Sequence, residues 1–134
     1  MATFKLEVIT PLKKIIEKEV EMIVLRTTEG DMGVLANHAP FVAELSIGEM
    51  KIKSSDEEVS YFVSGGFMDV SREKTTILAD EAMDAREIDI EIAKKDAEVA
   101  RAKLKKLKED REIASTQKAL QDALTKVRIA EQYR

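Results

Sequence analysis

Hydrophobic and polar positions change period once along the chain. Near the start, Phe4, Leu6 and Val8 alternate with Lys5, Glu7 and Ile9, the period of two expected of a strand with one buried face. Further short strands are expected at Lys14–Val20, Glu21–Thr27, Val42–Leu45, Glu49–Ser54, Val59–Val63, Phe67–Val70 and Thr75–Ala79. Turn formers separate them at Thr10-Pro11, Glu29-Gly30, Ile47-Gly48, Ser54-Ser55-Asp56 and Ser64-Gly65-Gly66. Short strands at this spacing predict an antiparallel sandwich or flattened barrel. After Gly66 neither glycine nor proline occurs, and the period lengthens. Ala93, Ala97, Ala100, Leu104 and Leu107 fall on one helical face, and Ile113, Leu120, Ala123, Leu124, Val127, Ala130 and Glu131 mark a second. A break is expected near Lys108–Arg111, with Asp110 as the cap of the second helix. The predicted fold class is thus β+α. An antiparallel β-sandwich spans residues 1–86, and a two-helix antiparallel hairpin spans residues 87–134. The alanine-rich stripes of the hairpin bury little area, at most a few kcal/mol at about 25 cal/mol per Å². They suit either plain packing or a hairpin that moves.

Composition sharpens this division. Charged residues make up 36% of the 134 and aromatics only 4%, which fits a modest core with long solvated helices. Residues 1–86 hold 10 Lys/Arg against 16 Asp/Glu, while residues 87–134 hold 12 against 10. The two halves therefore suit different partners. The acidic front and the absence of interleaved aromatics in the basic back argue against nucleic acid. No apolar run approaches the roughly 18 residues of a membrane span. The start, MATFKLEVIT, lacks the segments of a secretory signal, and the chain is expected to be soluble and intracellular.

Chemistry is scarce. There is no cysteine and one histidine, so no metal site is expected. His38 has no neighbour in sequence suited to nucleophilic catalysis and is read as a hydrogen-bonded loop residue; no catalytic residue is assigned. No phosphate loop occurs, and Gly65-Gly66 is read as a strand reversal. Two features remain. Residues 30–40, GDMGVLANHAP, gather two glycines, the histidine and a proline. A basic cluster, Arg101, Lys103, Lys105, Lys106, Lys108 and Arg111, crowds the end of the first helix. It reads equally as a solvated face favoured by the helix C-terminus or as a patch for an acidic partner.

The three stretches GDMGVLANHAP, VSGGFMDV (residues 63–70) and ILADEA (residues 77–82), followed by the glycine-free hairpin, resemble the epsilon subunit of bacterial F-type ATP synthases over nearly the whole chain. The resemblance implies a non-catalytic rotor subunit. Its sandwich would bind the gamma subunit and rest on the c-ring. Its helices would lie folded or extend toward the beta (and alpha) subunits, restraining ATP hydrolysis. It would reach the cytoplasmic face of the plasma membrane only through the complex. Gly30, Asp31, Met32, Gly33, His38 and Pro40 would form the c-ring and gamma docking loop, with Gly30 and Gly33 supplying turns. Arg101, Lys103, Lys105, Lys106, Lys108 and Arg111 would form the inhibitory face, supported by Lys118, Lys126 and Arg128. Some members bind ATP through Ile/Leu-Asp-x-x-Arg-Ala. Here Ile88, Asp89 and Ala93 fit, but Ile92 replaces the arginine and Met83 stands where an acid is expected. No cofactor is therefore expected, and Asp89 is read as a helix cap. The alternative function is a stand-alone adaptor that uses each module for one partner.

Overall fold

The computed structural model describes residues 2–133. The chain divides into two units, Met1–Asp84 and Ala85–Arg134, two residues ahead of the expected boundary. Among the described residues the first unit contains eight strands: β1 (Phe4–Ile9), β2 (Lys14–Val20), β3 (Met22–Thr27), β4 (Gly30–Leu35), β5 (Phe41–Glu44), β6 (Gly48–Ser54), β7 (Glu57–Val70) and β8 (Lys74–Asp84). They join in the order β2-β1-β8-β7-β6-β3-β4, with β5 added to β7. All pairs are antiparallel except β1 with β8.

Two long strands turn this one sheet into two layers. The first half of β7 pairs with β6, Gly48 opposite Val63, and the second half pairs with β5, Phe67 opposite Glu44. Strand β8 follows β7 throughout, Tyr61 opposite Asp84 at one end and Val70 opposite Thr75 at the other. Both therefore pass between layers at Gly65-Gly66, whose φ angles are +67 and +105. The expected reversal does not occur. A glycine pair supplies positive φ for a bend in a continuous strand as readily as for a hairpin. The alternating inward residues of both layers make one core, with Phe4, Leu6, Val8, Ile23, Leu25, Met50, Ile52, Met68 and Ile77 all buried.

The outer face of the β1-β2-β8 layer carries an ion network. Glu7 receives hydrogen bonds from Lys74 and from Lys14, the latter at 3.2 Å, and Lys14 also bonds Glu17. Lys74, then Lys14, holds the Glu7 carboxyl below its ordinary 4.5 despite burial. Lys14 does the same to Glu17. Glu17 and then Glu7 raise the Lys14 ammonium above 10.5. A depressed carboxyl stabilises the fold above its unfolded value, and that contribution disappears as pH falls through the lower folded value. A raised ammonium gives stability below 10.5 that is lost as pH rises through the higher folded value. Glu7→Gln is therefore expected to lower the urea midpoint at neutral pH and to shrink the loss between neutrality and about pH 3. An unchanged acid limb would remove Glu7 from the account.

In the second unit a 3-10 turn (Ala85–Glu87) leads into α1 (Ile90–Leu104), and α2 is Asp110–Gln132. Asp89 is the N-cap of α1: its Oδ1 accepts the backbone N–H groups of Glu91 at 3.0 Å and Ile92 at 3.2 Å. On α2 the capping position belongs to Glu109, which makes no side-chain cap bond, and Asp110 lies in the first turn. Ala93, Ala97 and Ala100 are buried on α1, as the spacing predicts. On α2 the buried positions are Thr116, Ala123, Thr125, Ile129 and Ala130. Leu124 is 40% exposed and Glu131 is exposed, so neither belongs to the buried face. Thr125 is tolerated inside because its hydroxyl donates to the carbonyl of Gln121 at 2.7 Å.

Candidate docking surfaces

Residues 30–40 form a strand followed by a loop. Gly30 to Leu35 are β4, paired to β3 with Asp31 opposite Arg26, at the end of the sheet path. Alternation along β4 exposes Asp31, Gly33 and Leu35 and turns Met32 and Val34 inward. Met32 packs against the core, so it is structural and does not join the outward residues. Gly30, at φ +115, is conformational and closes the β3–β4 turn. Gly33 is not a turn residue. A Cβ there would meet the Met22 side chain at 3.2 Å, so its smallness serves packing. The loop proper runs from Ala36 to Pro40. Asn37 takes φ 63, and the backbone N–H of His38 donates to the carbonyl of Leu35 at 3.3 Å. The His38 ring donates from Nδ1 to the carbonyl of Ala39 at 2.8 Å and leans on Phe41 at 5.0 Å between centroids. Pro40 sits just ahead of β5, where its fixed φ suits strand entry. Asp31 and Leu35 face outward near opposite ends of the edge strand β4, and the His38 loop continues from the Leu35 end.

A second surface was not legible in the sequence. Phe67 lies opposite Leu78, and Leu78 lies opposite Ile9, in one row across β7, β8 and β1. Phe67 is 55% exposed, Leu78 53%, and Val42, on the next strand, 68%. Alternation sets Ile9 on the face away from Phe4, Leu6 and Val8, but assigns Phe67, Leu78 and Val42 to strands without a face. A cleft of about 480 Å³ opens there, lined by Ile9, Pro11, Phe67 and Leu78, with Glu44 and Asp80 as its carboxylates. Contiguous exposed apolar side chains with a polar rim mark an interaction surface.

The basic cluster occupies the turn of the hairpin. Arg101 and Lys103 end α1, Lys105, Lys106 and Lys108 lie in the link, and Arg111 is in the first turn of α2; all six are exposed. The three supporting residues stand apart. At 1.5 Å per residue, Lys126 lies about 22 Å along α2 from Arg111. Lys118 is paired to Asp122 at 3.2 Å, Lys126 is half-buried and Arg128 exposed. Among the described residues no helix is long and apolar enough to cross a membrane.

Comparisons with known proteins agree with this architecture. Residues 3–85 match the family described as ATP synthase, Delta/Epsilon chain, beta-sandwich domain. The chain is 68% identical to the ATP synthase epsilon chain, sodium ion specific, of Propionigenium modestum, covering 99% of this chain and 97% of that one. It is 40% identical to the epsilon chain of Nitratidesulfovibrio vulgaris strain DP4 over 92% of each. Among solved structures it resembles a chain in a cryo-EM structure of the Euglena gracilis mitochondrial ATP synthase that includes the c-ring. The TM-score is 0.80 at 30% identity, covering 93% of this chain and 79% of that one. Sandwich, hairpin and near-full-length identity converge, and the chain belongs to the ATP synthase epsilon chains.

Proposed function

We propose that this epsilon chain is a non-catalytic fitting of the central stalk. Its sandwich holds the gamma subunit and rests on the c-ring, and its hairpin restrains ATP hydrolysis at the beta and alpha subunits. The observation that carries this reading is the division of exposed surface by chemistry. The sandwich offers an apolar strip, Ile9, Phe67 and Leu78, and polar groups at Asp31 on the edge strand and at the His38 loop, and the hairpin offers an exposed basic turn. The strip suits the permanent contact with gamma, because burial of apolar area does not rest on charge pairs that salt screens. The edge at Asp31 suits the polar loops of the c-ring, and His38 keeps that loop in shape. The chain sits at the cytoplasmic face of the plasma membrane, held there by the complex alone. The stand-alone adaptor reading has no observation in its favour.

Burying an exposed Phe contributes about 1.5–3 kcal/mol. Phe67→Glu is therefore expected to weaken co-purification with gamma about tenfold or more. Far-ultraviolet circular dichroism should stay unchanged, since the side chain is half outside the core. Undiminished binding by the folded variant would contradict the assignment.

The Propionigenium modestum relative is named sodium ion specific. By extension the complex containing this chain is expected to couple to sodium. ATP hydrolysis by the coupled complex should then depend on sodium at fixed pH; indifference to sodium would refute the extension.

A further inference from the structure

We infer that the hairpin of this chain has no site for ATP, so that its position is set by protein contacts alone. Relatives with the Ile/Leu-Asp-x-x-Arg-Ala signature make that site a fair expectation, and each matching residue here has another task. Ile88 is buried at 2% exposure and Ala93 at 2%. Both serve packing. The Asp89 carboxylate caps α1, occupying the N–H groups of Glu91 and Ile92. Those are the donors that a phosphate at this helix start would need. At the position of the arginine, Ile92 is 59% exposed and offers no hydrogen bond to a phosphate oxygen, whereas a guanidinium would offer two.

Neighbouring cations do not replace it. Arg101 is 12 residues beyond Asp89, about 18 Å along the helix. Lys95 stands one turn after Glu91, and Lys94 one turn before Glu98, so each cation has a carboxylate at the spacing of weakly attractive helical pairs. Arg86 is outnumbered: residues 84–98 hold six acidic and three basic side chains. A magnesium–nucleotide complex, itself an anion, meets repulsion there.

The inference concerns the isolated chain and stands or falls apart from the docking assignments above. Its test is titration of the full chain with Mg-ATP to about 5 mM, following backbone amide NMR shifts of residues 88–93 and the thermal midpoint. The expected result is no saturable shift and no change in midpoint. Small linear shifts reproduced by magnesium pyrophosphate at equal ionic strength would also support it, as bulk charge effects. A saturable shift of residues 88–93 with a Kd below about 1 mM, unmatched by pyrophosphate, would overturn it.

Discussion

Gly66→Ala is expected to abolish the sandwich fold. A Cβ at this position would lie 2.0 Å from the Leu78 carbonyl oxygen and 2.8 Å from Ala79 Cα. Both obstacles are backbone of the paired strand, so no side chain can swing aside. The φ of +105 adds strain that alanine does not relieve. Overlap of this kind belongs to the rare substitutions costing more than about 4–5 kcal/mol, against a typical domain stability of about 5–15 kcal/mol. Gly65→Ala provides the control. Its Cβ would meet only the Asp80 side chain, Oδ2 at 2.6 Å and Cγ at 3.5 Å, and its φ is +67, inside the left-handed region that costs about 1–2 kcal/mol. Asp80 is exposed and can turn away. Far-ultraviolet circular dichroism and thermal melting should show Gly66→Ala without a cooperative transition, and Gly65→Ala folded with a lower midpoint. Equal behaviour would mean that the layer crossing does not depend on close backbone contact at Gly66.

The same glycine pair shows where sequence reading stops. Positive φ at Gly65 and Gly66 was legible as a change of direction. Whether the strand reverses or bends is decided by its partners on the two sides of the pair: the adjacent β6 before it and the more distant β5 after it. A local pattern does not contain them. Strand β4 was missed for the opposite reason. Its two glycines and Asp31 read as a turn, and only Met32 and Val34 carry the inward alternation. Eight strands were expected and eight are present among the described residues, but only because one omission and one false division offset each other. The parallel pairing of β1 with β8, joining the two ends of the sandwich, leaves no local trace at all.

The hairpin was easier. Ala93, Ala97 and Ala100 mark the buried face of α1 because spacing alone dictates it. On α2 the buried face includes Thr116 and Thr125, and a purely apolar criterion passes over both. Of the surfaces, the basic turn was readable as a run of charge, and the 30–40 segment as a dense motif. The Ile9–Leu78–Phe67 strip was not. Its members are 69 residues apart at the extremes, and cross-strand register alone brings them together.

Neutralising the basic turn is expected to have the second large effect. Replacing Arg101, Lys103, Lys105, Lys106, Lys108 and Arg111 by glutamine removes six exposed cations. An exposed ion pair contributes about 0–1 kcal/mol. At about 0.5 kcal/mol each, the six together bias the arm by about 3 kcal/mol. That is on the order of a hundredfold in the ratio of engaged to released hairpins. ATP hydrolysis by the assembled complex should rise severalfold, and high salt should raise the wild type toward the same rate, because surface charges are screened within about 8–10 Å at physiological ionic strength. Lys118, Lys126 and Arg128 are the comparison set. They stand away from the turn, and Lys118 is already paired, so their triple replacement should change the rate much less. A rate that ignores the turn but responds to these three would relocate the contact along α2.

Reconstitution of a complex stripped of its epsilon chain tests the central claim most directly. The purified full chain and a version ending at Glu87 are each added back, and ion-driven ATP synthesis and ATP hydrolysis are measured. The account predicts that both versions bind and restore synthesis, and that only the full chain lowers hydrolysis. Failure of the full chain to rejoin the complex, or equal suppression of hydrolysis by the version without its helices, would contradict it.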